Sequence, residues 1–416
     1  MSFLVVRNVG PVVSADVYFK KCTVFIGEQG VGKSTLAKLF TLFTWLEKGL
    51  LRRTLTVDSV AKYNRFKNKY AAYHNLKSYI SVDSYIRYDG EYYNFTYEQE
   101  HLNIVSKDIE EGLKVAKVMY VPAERNLLSV VESSKLQNGL SGPMQALMEE
   151  LNNAKNHYAK GLELPIGGMR FSYDRLNKVS WINGKDPNGE AFRITLNEAS
   201  SGYQSLLPMM LVCHYLSDLV KKSGEETIDY NEQRQLQQEV AKIMEDNSIS
   251  ETVKNAMLRT LSSRYKYSQY MNVVEEMEQN LYPQSQKQVL YDLLRINGEL
   301  PHNKLVLTTH SPYLINYLSI VVKASILEMQ IHADCKDLQE QLYAIVPKGC
   351  FLKNTDLAIY EMKDGKAEML SNCEGIPSDS NFLNMQMMET NELFDKLLDI
   401  EEQMGRNISG KDRLLY

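Results

Sequence analysis

The segment Gly27-Glu28-Gln29-Gly30-Val31-Gly32-Lys33-Ser34 constrains the chain most, because it fits G-x-x-x-x-G-K-[ST] and joins two stretches of different period. Before it, Cys22-Thr23-Val24-Phe25-Ile26 is β-branched and apolar and predicts a buried strand. After it, Ser34 to Phe43 has helical spacing. A glycine-rich loop at that junction aims backbone N–H groups and the partial positive charge of a helix N-terminus at one spot, as a phosphate requires. In this pattern Lys33 reaches the β- and γ-phosphates and the Ser34 hydroxyl ligates Mg²⁺. The expected nucleoside-triphosphate site is therefore Gly27, Glu28, Gln29, Gly30, Val31, Gly32, Lys33, Ser34 and Thr35. An accidental glycine turn is the alternative, and the strand–helix context argues against it.

With 416 residues the chain can form one large α/β domain with insertions, or two domains. A formal charge of −5 argues against a protein that coats nucleic acid along its whole surface, though not against one with a local basic face. The five cysteines are scattered without C-x-x-C or metal-like spacing, which predicts reduced thiols. No leader is evident, and the most apolar later stretch, Leu305 to Leu327, is interrupted by His310, Pro312, Asn316 and Lys323. A cytoplasmic protein with no membrane span is expected.

Further landmarks follow in order. Phe3–Asn8 and Asp16–Phe19 predict a strand pair turning at Gly10-Pro11, and Phe43 to about Leu76 reads as helical. Tyr85–Phe95 is a hairpin with an Asp-Gly turn. Val115–Val121 is a buried strand running into Pro122-Ala123-Glu124-Arg125, and Ser141-Gly142-Pro143 opens a helix. Two or three strands occupy Met169 to Leu196. Ala199-Ser200-Ser201-Gly202 then starts a helix, for which an N-cap with a tight turn is the plain reading. Two short helices turning at Asp246-Asn247-Ser248 form a helical hairpin, with Ser248 and Glu251 at capping-box spacing. Asn272–Glu276 ends a strand in two carboxylates, at the edge where open α/β sheets bind ligands. Leu305–Thr309 is another strand, ending at His310.

This ordered set resembles the ATP-binding-cassette ATPases, and within them the soluble SMC-like, RecF-like and OLD-type branch. The segments YVPAER (Tyr120–Arg125), VVEEMEQNLYPQSQ (Val273–Gln286) and TTHSPYL (Thr308–Leu314) look most like the ATPase subunits of bacterial anti-phage systems such as Septu and PARIS. The resemblance implies an ABC-type P-loop ATPase core with an N-terminal antiparallel β subdomain and helical insertions, using ATP and Mg²⁺. It implies that Glu275 holds Mg²⁺ with Ser34, that Glu276 is the general base, and that His310 is the switch histidine, so that Lys33, Glu276 and His310 are the catalytic set. It also implies that Ser200, Ser201 and Gly202 form a signature motif contacting ATP on an opposite subunit. A homodimer or higher homo-oligomer follows. Met277 stands where the family commonly has proline, Ala199 where it has leucine, and the Q-loop residue is not identifiable near Glu124 and Arg125.

The expected organisation is an ATPase core over 1–50, a helical and β-hairpin insertion over 51–114, core with the signature over 115–225, and a helical hairpin over 226–267. Core with the paired acids and histidine follows over 268–372, then a C-terminal helical tail over 373–416. Glu374–Asp379 superficially resembles a TOPRIM opening, but only 37 residues follow it and none form Asp-x-Asp. Any nuclease chemistry therefore belongs to a partner, and the implied role is regulation of such an effector in anti-phage defence. The alternatives are a RecF/SMC-like ATPase acting directly on DNA and, less favoured, a transporter's nucleotide-binding subunit. Lys62, Arg65, Lys67 and Lys69, interleaved with Tyr63, Phe66, Tyr70 and Tyr73 and preceded by Arg52 and Arg53, are the candidate nucleic-acid contacts. An amphipathic helix with solvated lysines is the other reading of that segment. The hairpin Asp229–Arg264 is a candidate self-association or docking element.

Overall fold

In the computed structural model, residues 2–108, 113–130, 139–222, 230–246, 249–332 and 334–412 are described. Asp229, Asn247 and Ser248 of the expected helical hairpin lie outside them. The chain begins with the antiparallel pair β1 (Ser2–Val9) and β2 (Val12–Phe19), followed by β3 (Cys22–Gly27) and α1 (Lys33–Leu51). A short helix α2 (Val57–Ala61) precedes the hairpin strands β4 (Ile80–Asp89), β5 (Tyr93–Glu98) and β6 (His101–Ser106). Next come β7 (Val115–Val121), α3 (Leu127–Val130) and α4 (Gly142–His157), then the small sheet of β8 (Leu162–Glu163), β9 (Arg170–Asp174), β10 (Val179–Lys185) and β11 (Ala191–Thr195). Helix α5 (Ser201–Lys221) and the helices α6 (Tyr230–Glu245) and α7 (Glu251–Tyr265) lead to β12 (Tyr267–Glu275). The rest is α8 (Pro283–Gly298), β13 (Lys304–Thr309), α9 (Pro312–Gln330), α10 (Lys336–Ile345), β14 (Leu357–Lys363), β15 (Lys366–Met369), the short pair β16 (Asn372–Cys373) and β17 (Ile376–Pro377), and α11 (Phe382–Asp412).

Eleven strands form one sheet in the order β6-β5-β4-β1-β2-β15-β14-β3-β13-β12-β7. Its β14-β3-β13-β12-β7 side is parallel, and its β6-β5-β4-β1-β2 side is antiparallel. β3 lies inside the parallel side and is buried along its whole length, which explains its continuous apolar run. The strand period of two then divides the core. Cys22, Val24 and Ile26 join one apolar layer with α4, α5, α8 and α9. Phe25 joins the other, with α1 and the antiparallel strands curled over it. There Phe43 stacks on Tyr88 at 5.1 Å and on Phe66 at 5.5 Å between ring centroids.

The helical reading of Phe43 to Leu76 is corrected. α1 ends at Leu51, the Gly49 carbonyl accepts from the Leu55 N–H at 3.1 Å, and Arg53 takes a positive φ. Thr56 and Ser59 then cap a new turn reciprocally. Tyr63 and Asn64 break it again with φ of 60° and 50°, before a π-helical turn over Phe66–Ala71. The hairpin's second helix is capped by Ser250, whose hydroxyl accepts from the Val253 N–H.

Candidate functional site

The three strands that carry the sequence landmarks are neighbours and end together. Ile26 of β3 pairs with Thr309 of β13, and Thr308 pairs with Glu275 of β12. Gly27, His310 and Glu276 therefore emerge side by side at the carboxyl edge of the parallel strands, where open α/β sheets bind ligands. The loop's backbone demands its glycines: Gly27 and Gly32 have φ of 138° and 104°, and a Cβ on either would come within 2.4 Å of Met362 O or Val12 Cγ2. Gly32 precedes the first turn of α1, so Lys33, Ser34 and Thr35 open that helix. Lys33 is buried, and its Nζ donates to the carbonyls of Gly27 at 2.8 Å and Glu28 at 2.5 Å. Burial pulls its ammonium down to about 8 against the opposing pull of Glu276, Glu278 and Glu275.

Glu275 is buried near the Tyr120 hydroxyl; its Oε2 accepts from the Ala123 N–H at 3.3 Å, and among the described residues its Oε1 meets no donor within hydrogen-bonding geometry. A buried carboxylate oxygen with no donor, at the same sheet edge as the helix-opening Ser34, offers the oxygen ligands that suit a hard cation such as Mg²⁺, which takes few protein ligands and completes its shell with phosphate and water. Glu276 has a φ of 43°, and its N–H donates to Thr308 O at 2.9 Å, which turns its side chain away from the strand's alternation. Its Oε1 lies 3.6 Å from His310 Nε2, and both side chains reach solvent. The imidazole beside it holds the Glu276 carboxyl below its usual range.

Two further groups, not assigned from the sequence, organise this edge. Arg125 is completely buried and donates to the carbonyls of Glu275 at 2.6 Å, Glu276 at 2.7 Å, Ser205 at 3.1 Å and Pro122 at 3.3 Å. Burial lowers its guanidinium only to about 10, with Glu278 and Glu276 opposing the drop, so it stays charged at neutral pH. Glu278 accepts from the Thr309 hydroxyl at 2.7 Å and the His310 N–H at 2.8 Å, fixing the backbone that presents the histidine. Burial raises its carboxyl pKa. The clue to both was local: three acids within four residues at a strand end, and an arginine closing a strand-to-turn segment.

Ser200 occupies the N-cap position of α5 without a side-chain cap bond, and Ser200 and Ser201 are exposed. Gly202 packs so near the 276–281 turn that a Cβ would meet Asn280 O at 2.9 Å. The serines at this helix start are thus open to solvent beside the 276–281 turn. The basic segment is less coherent than its sequence. Lys62 pairs with Asp58 at 2.6 Å and Lys67 with Glu100 at 2.9 Å, while Arg65 and Lys69 lie over the rings of Tyr63 and Tyr70. Phe66 and Tyr70 are buried, Tyr63 is exposed, and the upstream Arg52 is buried against the carbonyls of Arg264 and Tyr265. Arg52 is therefore withdrawn from any such surface.

No family model and no curated protein matches the chain. Among solved structures it is similar to the SMC head domain from Thermotoga maritima (10% identity, 89% of this chain, 98% of that chain, TM-score 0.32). It is also similar to the recombination mediator protein RecF (10% identity, 89% and 97%, 0.30) and to a dimeric ATP-binding cassette MJ0796 bound to ADP and Pi (10% identity, 89% and 100%, 0.27). The chain itself has a mixed α/β fold with one large sheet, parallel on one side, and helical insertions. Among the described residues no helix is long and apolar enough to cross a membrane.

Proposed function

We propose that the chain is an ABC-type ATPase that binds ATP with Mg²⁺ in the Gly27–Thr35 loop and hydrolyses it in sites shared between two copies. The observation that carries this reading is the shared edge of β3, β13 and β12, where the phosphate loop, the Glu276–His310 pair and the open Glu275 carboxylate oxygen converge. Lys33 exchanges its loop carbonyls for phosphate oxygens. Glu276, ionised at neutral pH, polarises a water; its oxygen bonds to the γ-phosphorus while the bridging oxygen leaves with ADP, and Glu276 takes the proton. His310 stands beside it, where it can contact the γ-phosphate. Ser34 and Glu275 would hold Mg²⁺, which when bound neutralises phosphate charge.

The exposed Ser200 and Ser201 at the start of α5 support a signature that, with Gly202, acts on ATP bound by the opposite copy. Nucleotide then sets subunit association, because γ-phosphate charge is neutralised across the interface. In this reading the assembly regulates a partner effector, such as a nuclease, in anti-phage defence; the support is the similarity of Tyr120–Arg125, Val273–Gln286 and Thr308–Leu314 to such ATPase subunits. Glu276→Gln tests the chemistry. ATP binding by calorimetry should persist while steady-state turnover drops by roughly a hundredfold or more, and normal turnover would refute the assignment. Lys33→Ala should lose binding itself. The Glu276→Gln chain, held with ATP, should also retain the effector in a pulldown from native cells.

A further inference from the structure

Helix α11 leaves the body of the molecule. Its root is anchored: Leu383 is buried, and the Phe382 N–H donates to Glu361 Oε1 at 2.5 Å. From Met385 to Met404 every residue is exposed, so about 30 Å of helix projects beyond the described body of the molecule. In proteins most of a helix's stability comes from packing an apolar face. This one has such a face. Leu393, Leu397, Ile400 and Met404 are 54, 62, 53 and 59% exposed. Their spacing of four, three and four residues is the a/d repeat of a two-helix seam, with Leu393 and Ile400 at d and Leu397 and Met404 at a. Phe394, at the flanking e position, widens the stripe and is 61% exposed.

We infer that a second copy of this chain covers the face, pairing its α11 in parallel with this one. Charge selects that occupant and that direction. With Leu397 at a, Lys396 falls at g and Glu401 at e. In a parallel pair g contacts the e position five residues later on the other helix. Lys396 of each copy therefore meets Glu401 of the other, twice by symmetry. The root supports it as well: Glu361, which holds the helix start, is the register partner of Ile26, so α11 springs from the sheet edge that carries the phosphate loop. One two-fold axis can then serve both the α11 pair and a nucleotide-bridged pair. The seam itself uses no nucleotide contact and stands independently of the proposed ATPase chemistry.

Light scattering on the full chain, with and without ATP, tests the pairing. The wild-type chain and Lys33→Ala should both self-associate without nucleotide, whereas an ATP-bridged contact alone would require ATP and Lys33. Leu397→Asp should abolish nucleotide-free association, and circular dichroism checks that this exposed substitution leaves the fold intact. Lys396→Glu and Glu401→Lys should each weaken association, and the double exchange should restore it. Leu397→Cys should form an intermolecular disulfide on oxidation beyond the background of the exposed Cys335 and Cys373. A monomer without nucleotide, association indifferent to Leu397→Asp, or no recovery in the charge-exchanged double variant overturns the inference. Loss of only the ATP-dependent association, with the seam intact, counts against the proposed composite ATP site instead.

Discussion

In the proposed ATP site Lys33 carries two opposed demands: it must be charged to hold a phosphate, yet burial disfavours that charge and pulls its pKa to about 8. Below that value the ammonium prevails; above it the neutral amine does. Affinity for ATP should therefore be fully expressed below about 8 and fall roughly tenfold per further pH unit, the slope of a single required proton. Calorimetric titration across that range checks it, and Lys33→Arg should flatten the dependence. An affinity constant through one unit above the midpoint would sink the argument. This residue was legible because phosphate chemistry fixes residue types at fixed spacing. Glu276 and His310 were singled out through the family resemblance, and the strand ends bring them to within 3.6 Å. Arg125 and Glu278 were not assigned because their partners are mainly backbone groups of distant segments, and such bonds leave no period in a sequence.

At the scale of elements, Arg125 ties β12, the turn after β7 and the start of α5 through four carbonyls. Replacing it by Met keeps much of the volume but strands those acceptors in a dry interior. Breaking buried charge-assisted bonds costs on the order of 3–5 kcal/mol, so Arg125→Met should lower the urea midpoint by a large fraction of the stability. Arg125→Lys, with one ammonium in place of a fork, should recover only part. An unchanged midpoint would mean the strap holds nothing. The strands were readable because β3, β7, β12 and β13 are buried on both faces, giving apolar runs with sharp ends. The Phe43–Leu76 stretch misled because its aromatics fall near helical spacing while packing on the core from three separate turns. Phe66 stacks on Phe43, and Tyr70 lies 6.0 Å from Trp45, after Tyr63 and Asn64 have already reversed the backbone.

At the scale of the whole molecule, the question is whether one chain contains a complete site. Lys33, Glu276 and His310 gather at one sheet edge, whereas Ser200 and Ser201 at the start of α5 are exposed to solvent. The sequence order of these motifs could not say which copy they serve, since that depends on a surface and not on a fold. Complementation decides it. Lys33→Ala spoils the loop; Ser200→Arg spoils the helix start, and the site is exposed, so the fold tolerates the larger side chain. Each variant alone should be inactive. In a mixed dimer one composite site carries both defects and the other carries neither, so mixing the two should restore turnover. Random pairing makes about half the dimers mixed, each with one intact site of two, so recovery should approach roughly a quarter of wild-type turnover if the sites act independently. A site built within one chain would give no recovery at any ratio.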